Sequence, residues 1–242
     1  MSPRTTSAPF RDRRDAGRAL AEHPGLGPYR GRADAIVLAL PRGGVPVGYE
    51  LARALDLPLD IFVVRKLGVP GHEELAMGAI AGGGTRVIEP DVVGRLGLDE
   101  ETISDVATKE RRLLEDRERM YRGDRPPVDV EERTVILVDD GLATGSTVRA
   151  VIRALRTRDP AAIVVAAPVA PAETCRAMEE EADEVVCAST PELFLAVSTA
   201  YERFGQTTDE EVVDLLQRSR QTPEAAPSAN RAIATKPKLI PE

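Results

Sequence analysis

Apolar positions along the chain fall into two alternating rhythms. Short unbroken apolar runs, DAIVLAL (34–40), LDIFVVR (59–65), TVILVDD (134–140) and AAIVVAA (161–167), have the length and branching of strands buried on both faces, with EVVCA (184–188) as a shorter fifth. Between them apolar residues recur at helical spacing. Gly48, Leu51, Ala52 and Leu55 share one face after the first run, Val148, Val151, Ile152 and Leu155 after the third, and Cys175 and Met178 after the fourth. This alternation predicts an α/β fold: a doubly wound, mainly parallel sheet flanked by helices, with ligands beyond the carboxyl ends of the strands.

Two segments break the rhythm. Residues 98–123 read as one long helix capped by Asp99, with an acidic first turn and the pairs Arg111 with Glu115 and Glu115 with Arg119 on a solvated side. Residues 65–90, RKLGVPGHEELAMGAIAGGGTRVIEP, read as a Gly-rich loop, either an active-site cover or disordered. From Ser219 to Glu242 periodicity is lost among Pro, Ala and polar residues, which predicts a disordered tail after one domain over 1–218.

Composition narrows the function classes. At 242 residues and 42% hydrophobic content the chain can bury one large core. A net charge of -8 argues against a whole-surface attraction to nucleic acid or anionic membrane. No run approaches the roughly 18 apolar residues of a membrane span, and the N-terminal stretch lacks an apolar signal core, so the expectation is a cytoplasmic chain with neither nucleic-acid nor membrane partner. Cys175 and Cys187 have neither CxxC spacing nor a paired His motif. They read as small core residues rather than a disulfide or zinc ligands.

The stretch VILVDDGLATGSTVRAV (135–151) carries the chemistry. A loop between a strand and a helix offers unpaired backbone N–H groups and the positive end of the helix dipole, which suits a phosphate. Ala143, Thr144, Gly145, Ser146 and Thr147 would form that cup: small residues admit the phosphate oxygens, Gly145 allows a positive φ, and the hydroxyls add donors. Asp139 and Asp140 beside it would repel phosphate unless they face ribose hydroxyls or a divalent cation, so a sugar phosphate with Mg2+ fits better than phosphate alone. Neither the P-loop spacing nor the GxGxxG loop is present. A strand, a polar turn and a capped helix with no ligand would look the same on local physics.

VILVDDGLATGST closely resembles the 5-phosphoribosyl-1-diphosphate (PRPP) binding motif of type I phosphoribosyltransferases. ALPRGGVPVG after the first strand resembles that family's pyrophosphate loop, and RKLGVPG after the second resembles the start of its mobile catalytic loop. The order of the whole chain resembles a group of bacterial phosphoribosyltransferase-like proteins with no assigned acceptor. The resemblance implies transfer of the 5-phosphoribosyl group from PRPP to an acceptor, with Mg2+ as cofactor and release of pyrophosphate. It assigns the ribose hydroxyls, directly or through Mg2+, to Asp139 and Asp140, and the 5-phosphate to residues 143–147. Pyrophosphate falls to Arg42, Gly43 and Gly44, with Arg65 and Lys66 neutralising it as it leaves. A non-proline cis peptide around Arg42 and Gly43 is implied as well.

The acceptor is left open. Ala143 stands where the 6-oxopurine enzymes have an acidic residue, which disfavours hypoxanthine or guanine, and Gly141 is expected to widen the pocket floor. A small hood from residues 8–30 and 188–218 would cover the acceptor, with Pro168, Val169, Phe194 and Tyr201 as candidate wall residues and Glu74 reaching in from the mobile loop beside His72 and Glu73. At spacings of seven and three, Phe194, Tyr201 and Phe204 would equally pack a helix onto the core. Family members are commonly dimers, which leaves a homodimer open. Two other classes stay in view: a PRPP- or nucleotide-binding regulator without turnover, and an assembly protein that inherited the fold.

Overall fold

In the computed structural model, which describes residues 9–221, the elements in chain order begin with α1 (Arg13–Ala21), β1 (Ala35–Ala39), α2 (Gly44–Leu55) and β2 (Leu59–Ile61). An antiparallel excursion follows, β3 (Val64–Val69), β4 (His72–Ala81) and β5 (Arg86–Ile88), then α3 (Pro90–Leu96) and α4 (Glu100–Arg122). The chain continues through β6 (Thr134–Val138), α5 (Ser146–Arg156), β7 (Ala162–Val169), α6 (Ala172–Met178), β8 (Glu184–Ser189) and α7 (Asp209–Gln221).

The five apolar runs form one parallel sheet in the order β2-β1-β6-β7-β8. Alternation across the pleat sends Val37, Ala39, Ile136 and Val138 into a core shared with α1, α2, α4 and α7, and Ile36, Leu38, Val135 and Leu137 into one shared with α5 and α6. Apolar neighbours on both faces are why these runs are continuous rather than alternating. From β1 the chain passes to β2 on one side, and from β6 to β7 on the other. The loops leaving β1 and β6 therefore diverge around a crevice at the sheet's switch point.

Several expectations need correction. The run at 59–65 does not form one strand: β2 ends at Ile61, and Val64 already pairs with Ala81 in the second sheet. The Gly-rich excursion is a three-stranded antiparallel ribbon in the order β3-β4-β5, turning at Gly71 and bulged at Gly68. Its apolar residues Leu67, Val69, Met77 and Ile80 join the main core, which is what orders it. The long helix forms as expected, with Asp99 accepting the Thr102 N–H at 2.8 Å, but its charges are not all solvated. Arg122 is buried against Asp60 at 3.1 Å and Glu110 turns inward, while Arg119 pairs with Asp116 and the expected partners of Glu115 do not engage it. α7 runs through the first residues assigned to the tail, and the rest of that segment, 222–242, lies outside the described residues. Cys175 and Cys187 form a disulfide between α6 and β8. Twelve positions apart in sequence, they meet because parallel pairing of β7 with β8 folds α6 back over the sheet edge.

Candidate functional site

The Leu40 N–H donates to the Val138 carbonyl at 2.9 Å, so the loop at residues 41–43 and the acidic pair after β6 leave the sheet side by side. The Pro41–Arg42 peptide is cis, in the stretch around Arg42 and Gly43 where the family resemblance implies one. Glycine is required at both following positions by contact. A Cβ on Gly43 would lie 2.1 Å from Asp140 Oδ2, and one on Gly44 would lie 2.7 Å from the Val138 carbonyl oxygen.

The small-residue loop after the pair leads into α5. Gly145 has φ 72°, as its spacing suggested, and as the N-cap of α5 it contributes no side-chain hydrogen bond to the first turn. Thr144, Ser146 and Thr147 are exposed, with Thr144 Oγ1 donating to Ser146 Oγ at 3.2 Å. The loop is braced from below by α6: Thr174 Oγ1 donates to the Ala143 carbonyl at 2.8 Å, and Met178 packs beneath Gly145. Hydroxyls and a helix N-terminus turned to solvent suit an anion.

The acidic pair is held unequally. Asp139 Oδ1 accepts the Asp140 N–H at 2.8 Å, and burial, with the Asp140 charge second, pushes the Asp139 carboxyl up to about 8. Asp140 Oδ2 accepts from Arg13 Nε at 2.8 Å, and its backbone carbonyl accepts the Tyr201 hydroxyl. Burial and the neighbouring Asp140 raise the Tyr201 phenol, which keeps it a donor. Two crowded carboxylates are a donor set that a divalent cation or ribose hydroxyls would relieve. Among the described residues no group of three or more His, Cys, Asp or Glu side chains is placed to hold a metal ion.

The basic residues named from sequence do not converge. Arg42 lies half-exposed with Nη1 3.7 Å from Asp209 Oδ2 at the start of α7, and the other oxygen of that carboxylate accepts the Tyr121 hydroxyl. Arg65 and Lys66, adjacent on β3, point to opposite faces of the ribbon. Arg65 Nε donates to Glu110 of α4 at 2.5 Å, whereas Lys66 Nζ contacts the Glu74 carbonyl at 3.2 Å and its carboxylate at 3.8 Å. His72, Glu73 and Glu74 sit exposed at the turn of the ribbon.

On the other flank, residues 189–208 contain a 3-10 turn at Val197–Ala200 and no α-helix, so the aromatic spacing marks no helical face. Tyr201 pairs with Phe10 in a parallel bridge, and its ring lies 5.8 Å from Phe10 and 5.1 Å from Phe204. Pro168 and Val169 are buried, and Phe194 packs partly buried against the cluster that holds Val169, Phe10 and Tyr201. Gly141 does not widen the floor: a Cβ there would lie 2.6 Å from Val197 Cγ1 and 2.9 Å from Val169 Cγ1, which already fill the space. Arg13, Asp209, Tyr121 and Val197 were not singled out from sequence. Each reaches the site from a distant element, and Arg13 was one of three arginines in RDRRD with nothing local to distinguish it.

Comparison with known proteins places this geometry. The model of the phosphoribosyl transferase domain matches residues 15–202. Two Mycobacterium tuberculosis proteins, each named "Putative phosphoribosyl transferase" (Rv0571c in strain H37Rv, MT0597 in strain CDC 1551), are 44% identical over 212 residues, 88% of this chain. The match covers 47% of their length, so the chain spans about half of these relatives. The crystal structure of TT1426 from Thermus thermophilus is 41% identical and superposes with a TM-score of 0.77 over 87% of this chain and 98% of that one. With the matched domain spanning both loops and the acidic pair between them, the chain belongs to the phosphoribosyl transferase family.

Proposed function

We propose that the protein transfers the 5-phosphoribosyl group from PRPP to a nitrogen or aromatic nucleophile with release of pyrophosphate. The observation that carries this reading is the adjacency, at the sheet's switch point, of an anion-ready loop on α5, an acidic pair and a glycine-lined loop bearing Arg42. Residues 143–147 hold the 5-phosphate through backbone N–H groups and hydroxyls, and Asp139 and Asp140 accept from the ribose hydroxyls. Gly43 and Gly44 admit the diphosphate to the backbone, and Arg42 exchanges Asp209 for it. Mg2+, held by the acidic pair together with the ligand, would neutralise charge on the diphosphate.

In the transfer, the acceptor forms a bond to C1 of the ribose as the C1–O bond breaks, and pyrophosphate leaves with the electron pair. The protein's share is to align the acceptor with C1, to stabilise the growing negative charge through Arg42 and Lys66, and to exclude water that would otherwise take the acceptor's place. Lys66 reaches the pyrophosphate by giving up Glu74. Arg65, held by Glu110, anchors the ribbon to α4.

Calorimetric titration of PRPP with and without Mg2+ tests the donor site. Mg2+-dependent binding followed by pyrophosphate release in an acceptor screen supports the transferase. Binding without turnover for any acceptor favours the regulator, and absence of binding removes both.

A further inference from the structure

Arg13 has no part in the reading above, yet it makes the direct side-chain contact to one of its two central carboxylates. It opens α1, which Asp12 caps by accepting the Asp15 N–H at 3.0 Å. α1 is seated closely on α2: a Cβ on Gly17 would lie 2.6 Å from the Val47 carbonyl oxygen. This contact fixes where Arg13 begins relative to the glycine loop at the start of α2.

The guanidinium is held on three sides. Nε donates to Asp140 Oδ2 at 2.8 Å, Nη1 donates to the Gly205 carbonyl at 2.6 Å, and the guanidinium carbon lies 3.9 Å from the centre of the Phe204 ring. The two side chains of the pair are 12% and 16% exposed, so the pair is only weakly screened by solvent. Both its partners abut the glycine loop, because a Cβ on Gly43 would meet Asp140 Oδ2 and would lie 3.3 Å from Arg13 Nε. Among the described residues no hydrogen bond engages Asp140 Oδ1.

We propose that Arg13 is a positioning residue for the PRPP site: it pins Asp140 by one oxygen, leaves the other for the ribose or its cation, and offsets the carboxylate charge that would repel a polyanionic donor. The proposal rests on the PRPP reading. It also explains the hood's connection to the donor half, since Phe204 and Gly205 complete the socket in which Arg13 lies.

The test is a double-mutant cycle on PRPP affinity, measured by calorimetry with Mg2+ on the full chain, using Arg13→Gln, Asp140→Asn and the two combined. Arg13→Gln is expected to weaken binding about tenfold or more, the worth of a charge-assisted hydrogen bond. Asp140→Asn in that background should cost much less than it does in the wild type. A merely structural role would leave the two effects additive, and additivity overturns the proposal, as does wild-type affinity in Arg13→Gln. Should Arg13→Gln fail to fold, Arg13→Lys decides. Lysine keeps the charge but lacks the planar fork, so a raised Kd for PRPP at wild-type thermal stability supports positioning, whereas an unchanged Kd overturns it. Absence of PRPP binding by the wild type is a different result: it removes the PRPP reading itself, and this proposal with it.

Discussion

The two flanks of the crevice are built in opposite ways. The loop after β6 presents backbone and hydroxyls to solvent from one contiguous stretch, residues 143–147. The facing wall closes on itself, with Phe10 from the start of the described chain, Val169 at the end of β7, and Val197, Tyr201 and Phe204 packed together. Backbone donors can be provided by any small residues, so that flank is local. A shaped wall of side chains is drawn from wherever the fold brings chain together.

This contrast can be broken experimentally, and the largest effect should come from the acidic pair. Asp139→Asn/Asp140→Asn is expected to weaken Mg2+-dependent PRPP binding by more than about 100-fold, as two charge-assisted contacts are lost. Calorimetry reads this directly, and retained affinity would mean that the loops alone hold the ligand. Next is Gly145→Ala, which puts a Cβ 3.0 Å from Met178 Cε at φ 72°. Left-handed backbone costs a non-glycine residue about 1–2 kcal/mol, so PRPP affinity should fall about tenfold while the closed wall stays intact.

On that wall, Tyr201→Phe removes the donor to the Asp140 carbonyl in a buried position. Denaturant unfolding should show about 1 kcal/mol of lost stability, and an unchanged midpoint would show the bond to be idle. The smallest effect is expected at Leu193→Ser. Leu193 is 76% exposed beside Phe194, and its replacement should shift stability by less than about 0.5 kcal/mol. A larger loss would place Leu193 in an interface.

What could be read from sequence follows the same division. The parallel sheet, its helices, the Asp99 cap and the left-handed Gly145 were all legible, because each is written in neighbouring residues, whereas the cis peptide beside Arg42 was implied only by the family resemblance. The ribbon of β3, β4 and β5 was not. Its six glycines between residues 65 and 90 mimic a loop, and only the burial of Leu67, Met77 and Ile80 against distant helices makes it a sheet. Arg13 and Asp140 are 127 positions apart, and no periodicity links them. The disulfide escaped for the same reason, since its spacing matches no motif and the sulfurs meet only through the pairing of β7 with β8.

That disulfide has a bearing on how the loop at residues 143–147 keeps its shape. Thr174, Cys175 and Met178 share one short helix: the first bonds the Ala143 carbonyl, the last lies under Gly145, and the cysteine between them is joined to the outermost strand of the sheet. The loop's foundation is thereby keyed to the sheet by a covalent bond, independently of α5, which the loop leads into.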